Sequence, residues 1–449
     1  MFENKKILIL GFARSGYEAA KVLIKRGNEV YLNDSKQEEK VDQAKKKELE
    51  DLGVKLIFGY HPDDLLDASF DYLIKNPGVP IDHKYVLKAK ELNVKVINEV
   101  EMAYHLLPDN VSIIGITGTN GKTTTTTITH EIMKKAYKDR VHLAGNIGYP
   151  LSSIVNQVKE NDIIVMECSC QQGENFIDFH PHVGVMTNLS EAHIDFMKTY
   201  EHYKDTKSKM FENQNENDIA ILNYDNSDVM DRLKNIKSEK KYFSTKEEKD
   251  CYLKDNCIYY KDEKIIALDD IKIKGMHNVE NCMAAIMVVK EYNVSNEIIK
   301  EVIENFKGVE HRLEYVDTVN GVDYYNDTEA TNIKCCQIAL NSFNRPIILF
   351  LGGLERGQDF NELTPYMKNV KAVIAIGQCR ERVEEYSKKI NKDVYVYEHL
   401  SDGFDKTNEI VERNDVVLLS PASASWDQYK ECEERGAEFK KKVSDLKHE

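Results

Sequence analysis

The sequence lacks any apolar run that approaches the length of a membrane-spanning helix. The N-terminal segment MFENKKILILGFARSG has too short an apolar stretch for a signal peptide, and it carries no small-residue cleavage site. Repeats of solenoid length and low-complexity tracts are also missing. From these absences we expect a soluble, cytoplasmic globular protein.

Positive charge is scarce relative to negative charge. The chain has 61 Lys and Arg residues against 76 Asp and Glu residues, a formal net charge of −15, and no local basic patch. Because such a surface repels polyphosphate backbones, we expect no nucleic acid partner. Small phosphate ligands are not excluded, since local amide donors and one or two cations suffice to hold them.

Paired cysteine spacing is absent as well. The nine cysteines are scattered, their number is odd, and no pair has the spacing of a zinc site or a dithiol redox centre. We therefore expect reduced thiols in a reducing compartment.

What the sequence does contain is three series of short apolar runs that alternate with amphipathic stretches. Its 449 residues exceed the length at which a single hydrophobic core keeps growing, so we expect more than one domain. Strands alternating with helices predict parallel sheets covered on both faces. We predict an α/β protein with three domains, at residues 1–107, 108–308 and 309–449, of which the first and third are Rossmann-like. The Lys-, Glu-, Asp- and Tyr-rich stretch at about 236–275 is interpreted as one or two exposed hairpins in a peripheral insertion.

The strongest local motif is Gly118-Thr119-Asn120-Gly121-Lys122-Thr123-Thr124, between the apolar run SIIGIT and a helical stretch. Glycines let backbone amides approach phosphate oxygens, and the following helix presents its unpaired N–H groups to the anion. Lys122 can reach the β- and γ-phosphates, and the Thr123 hydroxyl can bind Mg²⁺. The motif is shorter than the standard loop, because Ile116 stands where the first glycine is expected. The sequence thus predicts ATP binding and a phosphate-loop ATPase sheet in the central domain.

Candidate metal ligands follow neighbouring apolar runs. Glu167 ends the run IIVM, and Asn188 and His193 lie just beyond the run VGVM. Ligands bind at the carboxyl ends of strands in open α/β sheets, so these side chains are candidates for a magnesium site. Lys207 follows fourteen residues after His193 and by composition is one of many surface lysines.

Together these motifs resemble the Mur ligases, which build the stem peptide of peptidoglycan. TGTNGKTTT, the strand-end Glu167, TNLSEAHIDF and HRLE carry the resemblance to the family. LILGFARSG, KNPGVP, GNIGYP, NDTEATN, LGGLERGQDF and SPASASWDQYKECEERGAEF are similar to the subfamily that adds D-glutamate. The resemblance spans nearly the whole chain. It implies an N-terminal domain for the UDP moiety, a central ATPase and a C-terminal domain for the amino acid.

The resemblance also implies roles for individual residues. Lys122, Thr123 and Glu167 would handle ATP and a first Mg²⁺, His193 would bind a second Mg²⁺, and Lys207 would be carbamylated by CO₂. The positions that match nucleotide contacts are Asn281, Arg312 and Asp327. The positions that match contacts to the UDP-muramoyl substrate are Asp34, Ser35 and Lys36 on the uridine side and Asn146, Ser169 and Gln172 near the muramoyl group. The positions that match the glutamate pocket are Thr331, Arg356 and Ser425.

Some residues depart from the family pattern. Glu329 stands where the family commonly has a lysine, and Cys432 occupies a position that is often aromatic. The reversed charge at Glu329 either weakens glutamate binding or is offset by Arg356. Cys170 and Gln171 replace the usual Ser-Phe before Gln172.

We expect a ligase that acts as a monomer on small molecules. ATP would convert the carboxylate of a UDP-linked muramoyl-alanine into an acyl phosphate, which the amine of glutamate then attacks. Substrates held on three domains favour closure of the C-terminal domain during the reaction. Three alternatives stay open: another Mur or folylpolyglutamate-type ligase, a phosphate-loop NTPase switch, and a dinucleotide-dependent oxidoreductase suggested by the Gly11-to-Gly16 turn.

Overall fold

The computed structural model describes residues 2–192, 194–273 and 275–447. The chain divides into two compact units, Met1–Leu268 with Val279–Val302, and Asp269–Asn278 with Ile303–Glu449. Within the described residues, no helix is both long enough and apolar enough to cross a bilayer.

The first sheet has five parallel strands in the order β3-β2-β1-β4-β5. The strands are β1 Lys6–Leu10, β2 Glu29–Asp34, β3 Lys55–Phe58, β4 Tyr72–Lys75 and β5 Lys95–Ile97. The helices are α1 Arg14–Ile24, α2 Gln43–Asp51, α3 Lys84–Glu91 and α4 Glu99–Tyr104, with a 3₁₀ turn at Glu38–Lys40. Residues 7–10 of β1 are all buried, because helices cover both faces of the sheet.

The second sheet has nine strands in the order β14-β13-β12-β11-β10-β9-β6-β8-β7. The strands are β6 Ser112–Thr117, β7 Val141–Gly145, β8 Ile163–Glu167, β9 Val183–Met186, β10 Ile219–Asn223, β11 Glu239–Ser244, β12 Cys251–Lys254, β13 Cys257–Tyr260 and β14 Glu263–Ala267. The helices that follow β6 along the chain are α5 Lys122–Tyr137, α6 Leu151–Ile154, α7 Cys170–Gly173, α8 Ile194–Met197, α9 Tyr200–Glu212, α10 Ser227–Arg232, α11 Met276–Glu291 and α12 Asn296–Asn305, with 3₁₀ turns at Lys138–Arg140 and Leu268–Asp270. Strand β6 pairs in parallel with β8 and β9, so the carboxyl ends of all three strands meet at one edge.

The predicted hairpins at about 236–275 are present, but their description as a peripheral insertion is wrong. Strands β12, β13 and β14 form antiparallel pairs, while β11 pairs in parallel with both β10 and β12. The segment therefore extends the central sheet. Cys251, Ile258 and Ile266 are buried, so these strands contribute to a core that the polar composition concealed.

The third sheet has six strands in the order β15-β16-β20-β17-β18-β19. The strands are β15 Glu314–Val319, β16 Val322–Asn326, β17 Ile347–Gly352, β18 Val370–Ile376, β19 Asp393–Val396 and β20 Val416–Leu419. The helices are α13 Ile333–Asn341, α14 Arg380–Lys389, α15 Leu400–Ile410 and α16 Cys432–Asp445, with a 3₁₀ helix at Phe360–Asn369. All pairs are parallel except the edge hairpin of β15 and β16. Residues 347, 349 and 351 belong to one core cluster and 348 and 350 to another, so β17 is covered on both faces.

The three sheets confirm the predicted α/β class. The domain boundaries stay predictions: the one near residue 107 falls between β5 and β6, which belong to different sheets of one compact unit. The one near residue 308 lies close to the start of the long segment of the second unit, at Ile303.

Candidate active site

The loop between β6 and α5 has a positive φ and a close neighbour at two positions, both of which favour glycine. Gly118 has φ +148° and Gly121 has φ +81°. A Cβ on Gly118 would lie 1.9 Å from Oγ1 of Thr187, and one on Gly121 would lie 2.1 Å from Oδ1 of Asn281. The side chain of Thr187, which follows β9, and that of Asn281 in α11 therefore lie against the backbone of the loop. Only a residue without a Cβ leaves room for these two contacts.

Polar groups that follow β9 hold the loop in this shape. The N–H of Thr119 donates to the carbonyl of Asn188 and the N–H of Asn120 to its Oδ1, both at 2.9 Å. Thr187 donates its hydroxyl to the carbonyl of Asn120 at 2.6 Å, and Tyr203 donates to Oγ1 of Thr119 at 3.0 Å. Sequence reasoning missed Thr187 and Tyr203. Thr187 directly follows a buried strand, which was a usable signal, whereas nothing in the sequence distinguishes Tyr203.

The side chains that begin α5 face the ends of β6 and β8. Lys122 donates its ammonium to the carbonyls of Gly118 and Thr119, each at 2.9 Å. Thr123 donates its hydroxyl to Oε2 of Glu167 at 2.7 Å, and Asn146 donates its amide to Oε1 of the same carboxylate at 2.7 Å. Glu167 is buried. A hydroxyl and a carboxylate oxygen thus stand side by side next to a phosphate-type loop, which is the hard oxygen donor set that Mg²⁺ prefers.

Lys207 lies in α9 and is buried beside this cluster, 3% exposed. Its ammonium lies 3.4 Å from Oγ1 of Thr117 and 5.1 Å from the ring centre of Tyr203. Burial lowers the pKa of Lys207 to about 7, and the nearby positive charge of Lys122 is the second largest cause of this shift. The expectation of a surface lysine from composition alone is wrong, because Lys207 lies on the buried face of α9. His193 lies outside the described residues.

The candidate residues for the UDP-linked substrate have structural contacts of their own. Asp34 accepts the N–H of Phe12 at 2.7 Å and that of Lys36 at 2.8 Å, which ties the turn after β1 to the end of β2. Ser169 and Gln172 form a reciprocal capping box at the start of α7, with bonds of 3.3 and 2.8 Å. Ser35 follows Asp34 at the exposed end of β2.

In the second compact unit, Thr331 and Arg356 line one cavity of about 430 Å³, together with residues 422–424. The Arg356 guanidinium lies 4.7 Å from the ring centre of the exposed Trp426. Ser425 follows the cavity-lining Ala424 and does not line the cavity itself. Its hydroxyl is buried without a hydrogen-bond partner among the described residues.

The remaining candidates of the second unit lie around the strand end of β16. Asp327 accepts the hydroxyl of Ser420 at 2.7 Å and the N–H of Leu313 at 3.0 Å, and burial raises the pKa of its carboxyl to about 7. Arg312 lies 2.8 Å from Oε2 of Glu329. The charge of Glu329 is therefore offset by Arg312, not by Arg356. Burial and the adjacent Glu433 raise the pKa of the Cys432 thiol to about 11.

A phosphate-type loop on a mainly parallel sheet, followed by a second α/β unit with a cavity lined by Thr331 and Arg356, defines a class of protein that family models identify. Residues 5–98 match the MurD-like N-terminal domain of Mur ligases, residues 116–289 the Mur ligase middle domain and residues 311–423 the Mur ligase glutamate ligase domain. The chain belongs to the Mur ligase family, whose members are ATP-dependent, amide-forming ligases.

Two relatives share almost the full length of the chain. It is 41% identical over 448 residues to the UDP-N-acetylmuramoylalanine–D-glutamate ligase of Bacillus cereus (strain G9842), covering 99% of this chain and 98% of the relative. It is 43% identical over 449 residues to the ligase of the same name from Enterococcus hirae, covering 99% and 97%.

Solved structures of more distant members share the fold. UDP-N-acetylmuramate-alanine ligase MurC from Thermotoga maritima superposes with a TM-score of 0.57 at 17% identity, covering 98% of this chain and 99% of that one. MurF ligase from Thermotoga maritima in complex with ADP has a TM-score of 0.58 at 18% identity, covering 99% and 96%. At such identities the likeness shows the three-domain α/β fold alone.

Proposed function

We propose that this protein joins D-glutamate to UDP-N-acetylmuramoyl-L-alanine and converts ATP to ADP and phosphate, in the synthesis of peptidoglycan precursors. The observation that carries the proposal is the identity of 41 to 43% with ligases of that name over nearly the whole chain. The paired oxygens of Thr123 and Glu167 beside the glycine loop support the use of ATP.

Residues 118–124 would hold the triphosphate, with Lys122 near its terminal phosphates. Thr123 and Glu167 would hold a first Mg²⁺, and His193 with Lys207 a second. Bound magnesium neutralises charge on the phosphoryl oxygens. The fit is supported by the buried Glu167, whose two oxygens already contact a hydroxyl and an amide donor.

Lys207 would serve as a metal ligand only after carbamylation, which converts its amine into an anionic oxygen donor. CO₂ reacts with the neutral amine, and burial with a pKa of about 7 makes that form abundant at neutral pH. The burial of this lysine supports the proposal, because a solvated lysine is almost fully protonated there.

The substrates would bind to separate segments. The positions proposed for UDP-muramoyl-alanine are Asp34, Ser35 and Lys36 in the domain at residues 1–107 and Asn146, Ser169 and Gln172 in the domain at residues 108–308. The positions proposed for the nucleotide are Asn281, Arg312 and Asp327, and those for glutamate are Thr331, Arg356 and Ser425. The cavity shared by Thr331 and Arg356 supports the glutamate site, since a guanidinium can bind a carboxylate through two parallel hydrogen bonds.

In the reaction, an oxygen of the alanine carboxylate attacks the γ-phosphorus of ATP. The P–O bond to ADP breaks, and an acyl phosphate forms. The glutamate amine then attacks the acyl carbon, the amide forms, and phosphate leaves with the C–O bond electrons while the amine loses a proton. The chain's contribution is positioning and charge neutralisation. We place the reaction in the cytoplasm, where ATP and UDP-linked sugars are available, and propose a monomer.

A phosphate-release screen tests the proposal. The purified protein is incubated with ATP, Mg²⁺ and UDP-N-acetylmuramoyl-L-alanine, and D- and L-amino acids are added one at a time. We expect phosphate release with D-glutamate and none when either co-substrate is omitted. Release with a diamino acid would favour another Mur ligase, and turnover of ATP alone would favour an NTPase switch.

A further inference from the structure

A triad of metal-ligating side chains lies outside the phosphate-loop site, where α4 packs against the segment after α7. Glu101 lies on α4, His105 follows at the end of that helix, and Asp178 lies in the facing segment. Nε2 of His105 is 3.2 Å from Oε1 of Glu101 and 3.2 Å from Oδ2 of Asp178. The three ligand atoms all lie within 4.8 Å of one another. One ring nitrogen therefore faces two carboxylate oxygens from two separate segments.

The carboxylate of Glu101 is held in place by the protein backbone. Glu101 accepts the backbone N–H groups of Ile177, Asp178 and Phe179 at 3.0, 2.8 and 3.1 Å. Its side chain is 2% exposed, whereas that of Asp178 is 58% exposed. The site is thus rigid on its buried side and open to water on the other, as a site with three protein ligands and one solvent ligand requires.

The dimensions and charges suit a transition-metal dication. Zinc binds nitrogen and oxygen ligands at about 2.0–2.2 Å in tetrahedral geometry, so adjacent ligand atoms lie roughly 3.3–3.5 Å apart. The two separations of 3.2 Å need only a slight expansion to admit the ion. Two carboxylates offset its charge, and an imidazole ligand favours zinc over magnesium. We propose that Glu101, His105 and Asp178 bind Zn²⁺ or a similar first-row dication.

An ion bound there connects two sheets of the first compact unit. Helix α4 follows β5 of the first sheet, and Asp178 lies between β8 and β9 of the second sheet. Because the ion binds the folded arrangement of both segments, it raises the free energy of unfolding. The competing state is an imidazolium paired with both carboxylates. This state also agrees with the contacts, since those carboxylates raise the pKa of His105.

Zinc titration of the full-length protein distinguishes the two states. The protein is stripped with a chelator and titrated with ZnCl₂ by calorimetry in excess MgCl₂, and its melting temperature is measured with and without zinc. His105→Gln and Asp178→Asn each remove one ligand. His142→Gln is the matched control, because Nε2 of His142 contacts a single carboxylate, that of Asp162, at 2.9 Å.

We expect one zinc equivalent and a higher melting temperature in the native protein and in His142→Gln. His105→Gln and Asp178→Asn should each bind more than about 100-fold more weakly, since even residues behind the ligands change affinity about 10–100-fold. Asp178→Asn changes an exposed side chain, so its loss of binding cannot be attributed to misfolding if its metal-free melting temperature is unchanged. Absence of stoichiometric zinc binding in the native protein, or zinc affinity in His105→Gln or Asp178→Asn equal to that of the native protein, would overturn the proposal in favour of the imidazolium pair.

Discussion

The hydroxyl of Thr123 donates to Oε2 of Glu167 at 2.7 Å, although 44 residues separate them in the chain. Parallel pairing of β6 with β8 brings the carboxyl ends of the two strands together. Glu167 ends β8, and Thr123 lies in the first turn of α5, which follows the loop after β6. This contact joins the phosphate-type loop to a carboxylate from another strand. The proposed magnesium site depends on it.

Replacing Lys122 with alanine should lower ADP release by at least about 100- to 1000-fold, because one charged donor near the transferring phosphoryl group is lost. Lys134→Ala is the control on the same helix, since Lys134 is exposed and pairs with Asp139. A coupled assay for ADP measures both variants. Near-normal turnover of Lys122→Ala would refute the role assigned to this lysine.

Replacing Gly121 with alanine should abolish ATP binding and also lower the free energy of unfolding. Its φ of +81° costs an alanine about 1–2 kcal/mol, and the new Cβ would collide with Asn281. Gly53→Ala separates the two effects, because Gly53 has φ +88° and nothing within 4 Å of the added Cβ. We expect urea unfolding to show destabilisation of both variants, the greater in Gly121→Ala. Unchanged ATP binding by Gly121→Ala would contradict this account.

Replacing Lys207 with alanine should remove activity, and small carboxylates such as formate should restore part of it by replacing the carbamate oxygens. Lys209→Ala is the control on the same helix, since Lys209 contacts the carbonyl of Glu174. The rate of ligation is followed as a function of added formate. Full activity of Lys207→Ala without additive would rule out the carbamate.

The lowered pKa of Lys207 should appear in the stability of the protein in CO₂-free buffer. Between pH of about 7 and about 10 the unfolded chain keeps this proton, whereas the folded chain has lost it. Raising the pH from about 7 to about 10 therefore stabilises the folded state. Below a pH of about 7 the contribution of Lys207 to the free energy of unfolding does not vary with pH. Urea unfolding of the native protein and Lys207→Met should show a difference in free energy that changes with pH in this direction. A difference that does not vary with pH would show that Lys207 titrates normally.

Replacing Arg356 with alanine should raise the KM for glutamate about 10- to 100-fold, since a hydrogen bond to a charged group contributes about 1.5–3 kcal/mol. The KM for ATP should not change. Arg356→Lys keeps the charge but cannot form two parallel hydrogen bonds to a carboxylate, so we expect a KM for glutamate between those of the native protein and Arg356→Ala. Arg345→Ala serves as the control, because Arg345 pairs with Asp323 at the start of β16. Equal KM values for glutamate in Arg356→Ala and the native protein would show that this residue does not bind glutamate.

The sequence by itself determined the features that depend on neighbours along the chain. Continuous apolar runs predicted buried parallel strands, as in β1 and β17, because both faces of those strands are covered. The glycines and the Lys122-Thr123 pair predicted the loop, because a turn between strand and helix is a local conformation. The hairpins near residues 251–267 were also predicted, but their pairing with the central sheet was not.

Only the tertiary structure decided contacts between distant segments. It brought Asn281 against Gly121, buried Lys207 next to Thr117, and paired Arg312 with Glu329. The physical reason is that burial and charge pairing depend on which strands and helices become neighbours in space. By composition Lys207 does not differ from any other lysine, and only the family resemblance distinguishes it in the sequence. Its lowered pKa exists only where the folded chain excludes water around it.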